Sequence, residues 1–325
     1  MLFVLILIGG ATRLTESGLS ITEWNVVSGI VPPMNAGEWD AEFARYRQIP
    51  QYQAIHAGMT VAQFKRIFLW EYTHRLWARL VGVAFALPLF WFLAKGMVPR
   101  DKRGRLWLLL ILLGVQGALG WFMVSSGLSV RTEVSQYRLA AHFAAALLIY
   151  GATVWTAADF LARQGIGAAI NLQPARRRLI GLTAMAIVTA IAGAFVAGLR
   201  AGHAFNTFPL MAGHIVPPGY GMLSPWPRNL FENVVAVQFN HRVLALSTLA
   251  LILLFWWWAR RQVLPLAAWR ALSGFAAVAI LQVGLGIATL LLVVPVPLGV
   301  AHQAGAVLLV TAGLLSAHAV RRTQS

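Results

Sequence analysis

The chain has 325 residues, 59% of them hydrophobic and 11% charged, with a mean hydropathy of +0.70. A water-soluble domain carries roughly 25% charged residues, so this composition excludes a soluble globular protein and, with it, a nucleic-acid partner for the +16 net charge; the chain reads as an integral membrane protein. The absence of cysteine excludes disulfides, thiolate metal centres, iron–sulfur clusters and cysteine nucleophiles.

A membrane-crossing helix needs about 20 apolar residues. The opening stretch, residues 1–11, is too short to span and lacks the basic start and cleavage site of a signal peptide. It reads as a first transmembrane helix shortened at its start. Residues 36–49, AGEWDAEFARYRQI, have the apolar spacing of a short interfacial helix. Seven full spans follow, at 67–94, 106–125, 139–161, 179–198, 234–258, 271–293 and 300–319. The expected fold is therefore an all-α integral membrane protein with eight transmembrane helices, the first truncated.

Charge orients these helices. Segments 95–105, 162–178 and 259–270 and the tail from Arg321 hold 14 of the 26 Lys and Arg against one acidic residue, Asp101. The opposite side, 13–66, 126–138 and 199–232, holds nine basic and seven acidic residues. The positive-inside rule places the first set, and both termini, in the cytoplasm. Long loops lie only on the outer face, so a site is expected toward that face.

The two halves resemble each other. Glu71-Tyr-Thr-His74-Arg75 returns as Gln238-Phe-Asn-His241-Arg242, and Gln116-Gly-Ala-Leu-Gly120 as Gln282-Val-Gly-Leu-Gly286. His142 is matched by His302, and Thr12-Arg13-Leu14 by Gly198-Leu199-Arg200. This repeat implies two pseudo-symmetric four-helix bundles, 1–165 and 166–325, in parallel orientation. His74, His142, His241 and His302 each fall near the outer start of an even-numbered span. Paired within a half, they have the arrangement that ligates a haem iron from both sides. His56, His203, His214 and His318 read as loop or interfacial residues, although His203 and His214 are placed to line a haem edge.

The halves differ one turn before the first histidine of each. Glu71 lies one turn before His74, whereas Gln238 stands in the second half and cannot ionise. A carboxylate in a membrane helix is a functional candidate; the alternative is an ion pair with Arg75 or Arg79. Arg75 and Arg242 either meet haem propionates or extend to the headgroups.

The stretches GGATRLTESGLSITEW (9–24), EYTHR (71–75), QGALGWFMVSSGL (116–128), YRLAAH (137–142), NTFPLM (206–211), VQFNHR (237–242) and AHQAGA (301–306) closely resemble the haem A synthase family of alphaproteobacterial and mitochondrial type. The resemblance implies an inner-membrane oxidoreductase of cytochrome oxidase assembly. Such an enzyme oxidises the C8 methyl of haem O, through a hydroxymethyl stage, to the formyl group of haem A. It further implies that His241 and His302 are axial ligands of a permanent haem b in the C-terminal half. His74 and His142 then bracket the substrate haem O in the N-terminal half, with Glu71 as the catalytic carboxylate. The implied partners are haem O synthase (the protohaem farnesyltransferase) and an electron acceptor of unspecified identity, with homo-oligomers left open. The competing expectations are a di-haem b-type electron carrier, which leaves the Glu71/Gln238 difference unexplained, and a haem transporter or assembly scaffold.

Overall fold

The computed structural model describes residues 1–161 and 173–320. The tail from Arg321, most of the 162–178 loop and the expected 165/166 boundary between halves lie outside the described residues. Among the described residues the fold is all-helical and has no strand. In chain order the helices are α1 (Leu2–Leu14), α2 (Ala36–Tyr46), α3 (Pro50–Ala54), α4 (Val61–Ala94), α5 (Arg100–Ser125), α6 (Gln136–Leu161), α7 (Gln173–Gly198), α8 (Asn229–Glu232), α9 (Val234–Ala259), α10 (Leu266–Leu291) and α11 (Val296–Ala319). Seven of these are long and apolar enough to cross a membrane, and α1 is a shorter apolar helix. Only 11–28% of each spanning window is buried within the protein. Exposed side chains such as Leu87, Trp91, Ile111 and Leu254 thus form the lipid-facing surface a multi-pass protein requires.

Most of the spans, α9 excepted, begin ahead of their apolar stretches, by up to six residues. Hydropathy marks where a helix meets lipid; the backbone ladder continues through the polar turns, such as Arg100-Asp101-Lys102-Arg103 at the start of α5. The extension is most consequential in α4. A capping box, with Thr60 and Gln63 satisfying each other's backbone N–H, starts this helix. His74 therefore lies nearly four turns into α4 rather than in its first turns. The extra turns serve as a platform. Phe64 and Phe68 are buried against Phe43, Tyr46 and Leu19, which seats the amphipathic α2 on α4. Asn35 caps α2 by accepting from the Glu38 backbone N–H.

The chain divides into two compact units, Met1–Ile149 and Tyr150–Ser325. In the first, α4 packs against α1, α2 and α5. In the second, α7 packs on α9 and α11, and α10 on α9 and α11, around a core that includes Leu179, Ile252, Phe275 and Leu272. Small residues let these helices approach: a Cβ on Gly313 would strike the Thr183 hydroxyl and come within 3.2 Å of the Phe275 ring.

Candidate functional site

Each of the four histidines sits against a glycine of another helix. His74 on α4 faces Gly9 of α1, and His142 on α6 faces Gly120 of α5. In the second unit His241 on α9 faces Gly193 of α7, and His302 on α11 faces Gly286 of α10. A Cβ at these glycines would stand 3.0, 3.2, 3.0 and 2.8 Å, respectively, from the imidazole Cε1. The rings thus occupy slots that exist only because the opposing residue has no side chain. One side chain placed four times in the same slot is not what a single hydrogen-bonding core histidine produces.

Within the second unit the ring centres of His241 and His302 are 6.4 Å apart, with their planes crossed at 84°. One metal ion bonded to both rings at about 2 Å sets the ring centres roughly 6 Å apart, so the spacing fits a shared iron. His241 Nδ1 meets the Thr189 carbonyl oxygen at 3.1 Å. As the donor, Nδ1–H directs the Nε2 lone pair away from that carbonyl, which is the orientation a ligating imidazole takes. Nδ1 of both His74 and His302 is buried without a hydrogen-bond partner. In the first unit His142 lies near His74. Among the described residues no group of three or more His, Cys, Asp or Glu is arranged to hold a metal ion. Two protein ligands per site suit a macrocycle that brings its own four.

The residues that position His142 and His302 come from the repeated Gln-x-x-x-Gly motif. Gln116 Nε2 donates to the His142 carbonyl at 2.9 Å, and Gln282 Nε2 donates to the His302 carbonyl at 3.0 Å. Four residues later the same motif supplies Gly120 and Gly286. Sequence reasoning registered the motif as a repeat but gave it no task.

The arginines following His74 and His241 also act alike. Arg75 donates to the carbonyls of Ile21 (2.7 Å) and Glu23 (2.7 Å); Arg242 donates to those of Phe205 (2.7 Å) and Thr207 (2.7 Å). Each guanidinium thereby holds the loop after the first helix of its unit, a use that the sequence did not suggest. The equivalence of Ile21 with Phe205 fixes the register at 184. Glu16 and Arg200, both in the left-handed region with φ of 57° and 51°, obey the same register. The pairing of Thr12-Arg13-Leu14 with Gly198-Leu199-Arg200 is therefore shifted by two residues, since both segments end apolar runs and hydropathy cannot set a register.

Glu71 is 2% exposed. One carboxylate oxygen accepts from the Ser20 hydroxyl (2.8 Å) and the Ile21 N–H (2.8 Å). The other accepts from Arg75 Nε (3.1 Å) and Nη2 (2.6 Å). The ion pair with Arg75 exists, and the one with Arg79 does not: Arg79 reaches other atoms. In the second unit Gln238 Nε2 donates to the Phe205 carbonyl at 3.0 Å, while Gln238 Oε1 and Arg242 Nε are buried without partners.

The remaining histidines have local partners or are exposed. His56 Nδ1 lies 2.6 Å from the Tyr46 hydroxyl and Nε2 lies 3.3 Å from Glu16. His318 lies 3.1 Å from Asp159. His203 and His214 are on exposed turns.

Residues 1–314 match the COX15-CtaA family, described as cytochrome oxidase assembly protein. The chain is 47% identical to the haem A synthase of Bradyrhizobium diazoefficiens, with 100% of this chain and 90% of the relative covered. It is 45% identical to the haem A synthase of Nitrosospira multiformis, over 99% and 91%. For the haem A synthase of Rhodospirillum centenum the identity is 49%, over 97% and 83%. With its family matched over nearly its whole length and its histidine slots duplicated, this chain belongs to the COX15-CtaA cytochrome oxidase assembly family.

Proposed function

We propose that the chain is a haem A synthase, an oxidoreductase that converts the C8 methyl of haem O into the formyl group of haem A. The observation that carries this reading is the difference between two otherwise duplicated histidine sites. Both have the glycine slots, the Gln-to-carbonyl bond and the loop-holding arginine; only the first has a buried carboxylate. A pure electron carrier has no use for that difference, whereas an enzyme needs one reacting site and one that handles electrons.

In this reading His241 and His302 hold a permanent haem b in the C-terminal half, where the Thr189 carbonyl fixes the His241 tautomer. The bound haem b supplies one-electron redox capacity. His74 and His142 hold haem O by its iron in the N-terminal half, and the Gly9 and Gly120 slots fix the rotation of their rings. Two two-electron oxidations at the methyl, each adding one water and releasing two protons, lead through the hydroxymethyl stage to a geminal diol that loses water to give the aldehyde, with an external electron acceptor taking up the four electrons. Glu71 is the carboxylate assigned to this half. Its four donors support a role in holding Arg75 and the Ser20–Ile21 backbone beside His74, with its charge fixed near the reacting site. Charge asymmetry supports a plasma-membrane topology with both termini cytoplasmic. Haem O synthase is the expected supplier of substrate.

The test is extraction and chromatography of haems from membranes in which this chain is expressed together with haem O synthase. Haem A, or its hydroxymethyl precursor, appearing only when the chain is present establishes the activity. Haem B with unchanged haem O, in protein that has bound haem, establishes the electron carrier instead. Glu71→Gln is expected to retain haem while haem A yield falls; a normal yield removes Glu71 from the reaction.

A further inference from the structure

Residues 24–34, WNVVSGIVPPM, contain no charged residue yet lie in an extramembrane loop by hydropathy. The side chains are not tucked inward. Val27 is 78% exposed, Met34 75% and Val31 65%, and Val26 and Ile30 are about half exposed.

The backbone of this segment is fastened along α4. Arg75 holds the Ile21 and Glu23 carbonyls. One turn further, Arg79 donates from Nη2 to the Asn25 carbonyl (2.7 Å) and from Nε to the Val26 carbonyl (2.9 Å). The chain then turns back, and the Tyr72 hydroxyl donates to the Ile30 carbonyl at 2.6 Å. Gly29 leaves room for the guanidinium, since a Cβ there would stand 3.1 Å from Arg79 Nη2. Tyr72, Arg75 and Arg79 form one stripe of α4, which continues as Val83, Leu87 and Phe90, all exposed. The loop is therefore continuous with the lipid-facing side of the helix.

Depth follows from charge spacing. Between Arg79 and Lys95 α4 carries no charged residue, a rise of about 24 Å at 1.5 Å per residue. The hydrocarbon core is about 30 Å thick. With Lys95 at the inner boundary, Arg79 falls inside the outer one, and the carbonyls of residues 25 and 26 fall with it. Irregular backbone at that depth must have its polar groups satisfied by protein, and the Arg79 guanidinium does this for both carbonyls.

The loop also reaches α5. Trp24 stacks on Trp121 with ring centres 5.8 Å apart and planes within 9°. Trp121 adjoins Gly120, the slot of His142, and Arg75 adjoins His74. Arg75 recurs as Arg242, but Tyr72, Arg79 and Trp121 do not recur in the second unit. By the register of the repeat Phe239 stands for Tyr72, Leu246 for Arg79 and Ile287 for Trp121.

We propose that residues 24–34 form a re-entrant flap lying among the lipid acyl chains of the outer leaflet, across α4 and α5 at the level of the His74–His142 site, and that the prenyl-tailed porphyrin passes beneath it directly from the bilayer. The role in substrate passage rests on the function proposed above; the placement in the leaflet does not. The second unit has an uncharged loop of its own, in which Ile215-Val216-Pro217-Pro218 repeats Ile30-Val31-Pro32-Pro33 and Ile215 is 80% exposed. What sets the first unit apart is the fastening by Tyr72, Arg79 and Trp121, which fits a site that must exchange its haem beside one that keeps it.

The cysteine-free chain permits a direct test with single cysteines carrying a nitrobenzoxadiazole fluorophore, in phosphatidylcholine vesicles. Val27→Cys on the loop is compared with Asp40→Cys on α2. Nitroxide-labelled lipid should quench the residue 27 label several-fold more than the residue 40 label, and aqueous iodide should show the reverse order. Equal quenching by iodide at the two positions overturns the leaflet placement. For passage, a Trp24→Cys/Trp121→Cys pair is bridged with a short bis-maleimide, and haem O uptake from vesicles is followed by its Soret absorbance. Bridging should slow uptake at least ten-fold relative to the same variant unbridged, with the spectrum of the preloaded second haem unchanged. An unaltered rate at complete bridging overturns the flap. Failure of the unbridged protein to take up any haem O overturns the proposed function instead, and the quenching result still decides where the loop lies.

Discussion

Gly286→Ala tests whether the glycine slots are built for ligating imidazoles. The new Cβ would stand 2.8 Å from His302 Cε1, where carbon atoms rest at about 3.5–4.0 Å. The imidazole must retreat by roughly 0.7–1.2 Å to restore that distance, a large step against a metal–nitrogen bond of about 2 Å. Overpacking of this kind costs about 1–3 kcal/mol, or roughly 5- to 150-fold in haem affinity at 1.4 kcal/mol per decade. Gly284, on the same helix, is the control: nothing lies within 4 Å of its Cβ position, so Gly284→Ala gains only helix propensity, about 1 kcal/mol. The assay is haem retained per purified protein, with low-temperature electron paramagnetic resonance of the oxidised haem reporting the axial field. Gly286→Ala should lose haem and shift the resonance, while Gly284→Ala should do neither. The same distances rank the series, with Gly9→Ala and Gly193→Ala intermediate at 3.0 Å and Gly120→Ala mildest at 3.2 Å. Identical haem content and spectra for the variants at 284 and 286 would refute the slot.

Three further outcomes follow from other contacts. Gln238→Glu should give the unpartnered Arg242 Nε an ion pair like Glu71–Arg75 and raise thermal stability by about 1 kcal/mol, desolvation offsetting part of the charged bond; a lowered melting temperature refutes it. Arg242→Leu leaves the Phe205 and Thr207 carbonyls without their charged donor, a cost of about 1.5–3 kcal/mol, and should expose the 205–207 loop to protease; protection equal to wild type argues against its role. Burial, then Glu16, Glu71 and Tyr52, push the Tyr46 phenol well above its usual range. The folded state therefore holds this proton more tightly than the unfolded one, so the stability is whole below about pH 10 and falls as pH rises beyond it. Tyr46→Phe should flatten that alkaline decline in a thermal-melt series, and an unchanged decline assigns it elsewhere.

The spans, the membrane environment and the four histidines were legible because each rests on a signal with one physical meaning. Twenty apolar residues in a row have no other stable place than a bilayer, and a duplicated Glu/Gln-x-x-His-Arg pattern marks the same helix face twice. The amphipathic segment 36–49 was found for the same reason, since its period matches a helix; the structure ends α2 at Tyr46, ahead of Pro50 at the start of α3.

What the sequence could not decide is what each polar side chain touches. Glu71 and Arg75 are four residues apart, so their pairing was foreseeable, but the Ser20 and Ile21 donors are some fifty residues distant and only the folded loop brings them there. The tasks of Gln116, Gln282 and the four glycines were equally hidden: a glycine in a membrane helix has many uses, and only the opposing imidazole shows which one applies. Arg79 and Leu246 differ in the sequence without any sign of consequence. Tertiary structure gave that difference a meaning, because backbone carbonyls at membrane depth need a donor, and the first unit lays a loop along the helix that supplies one.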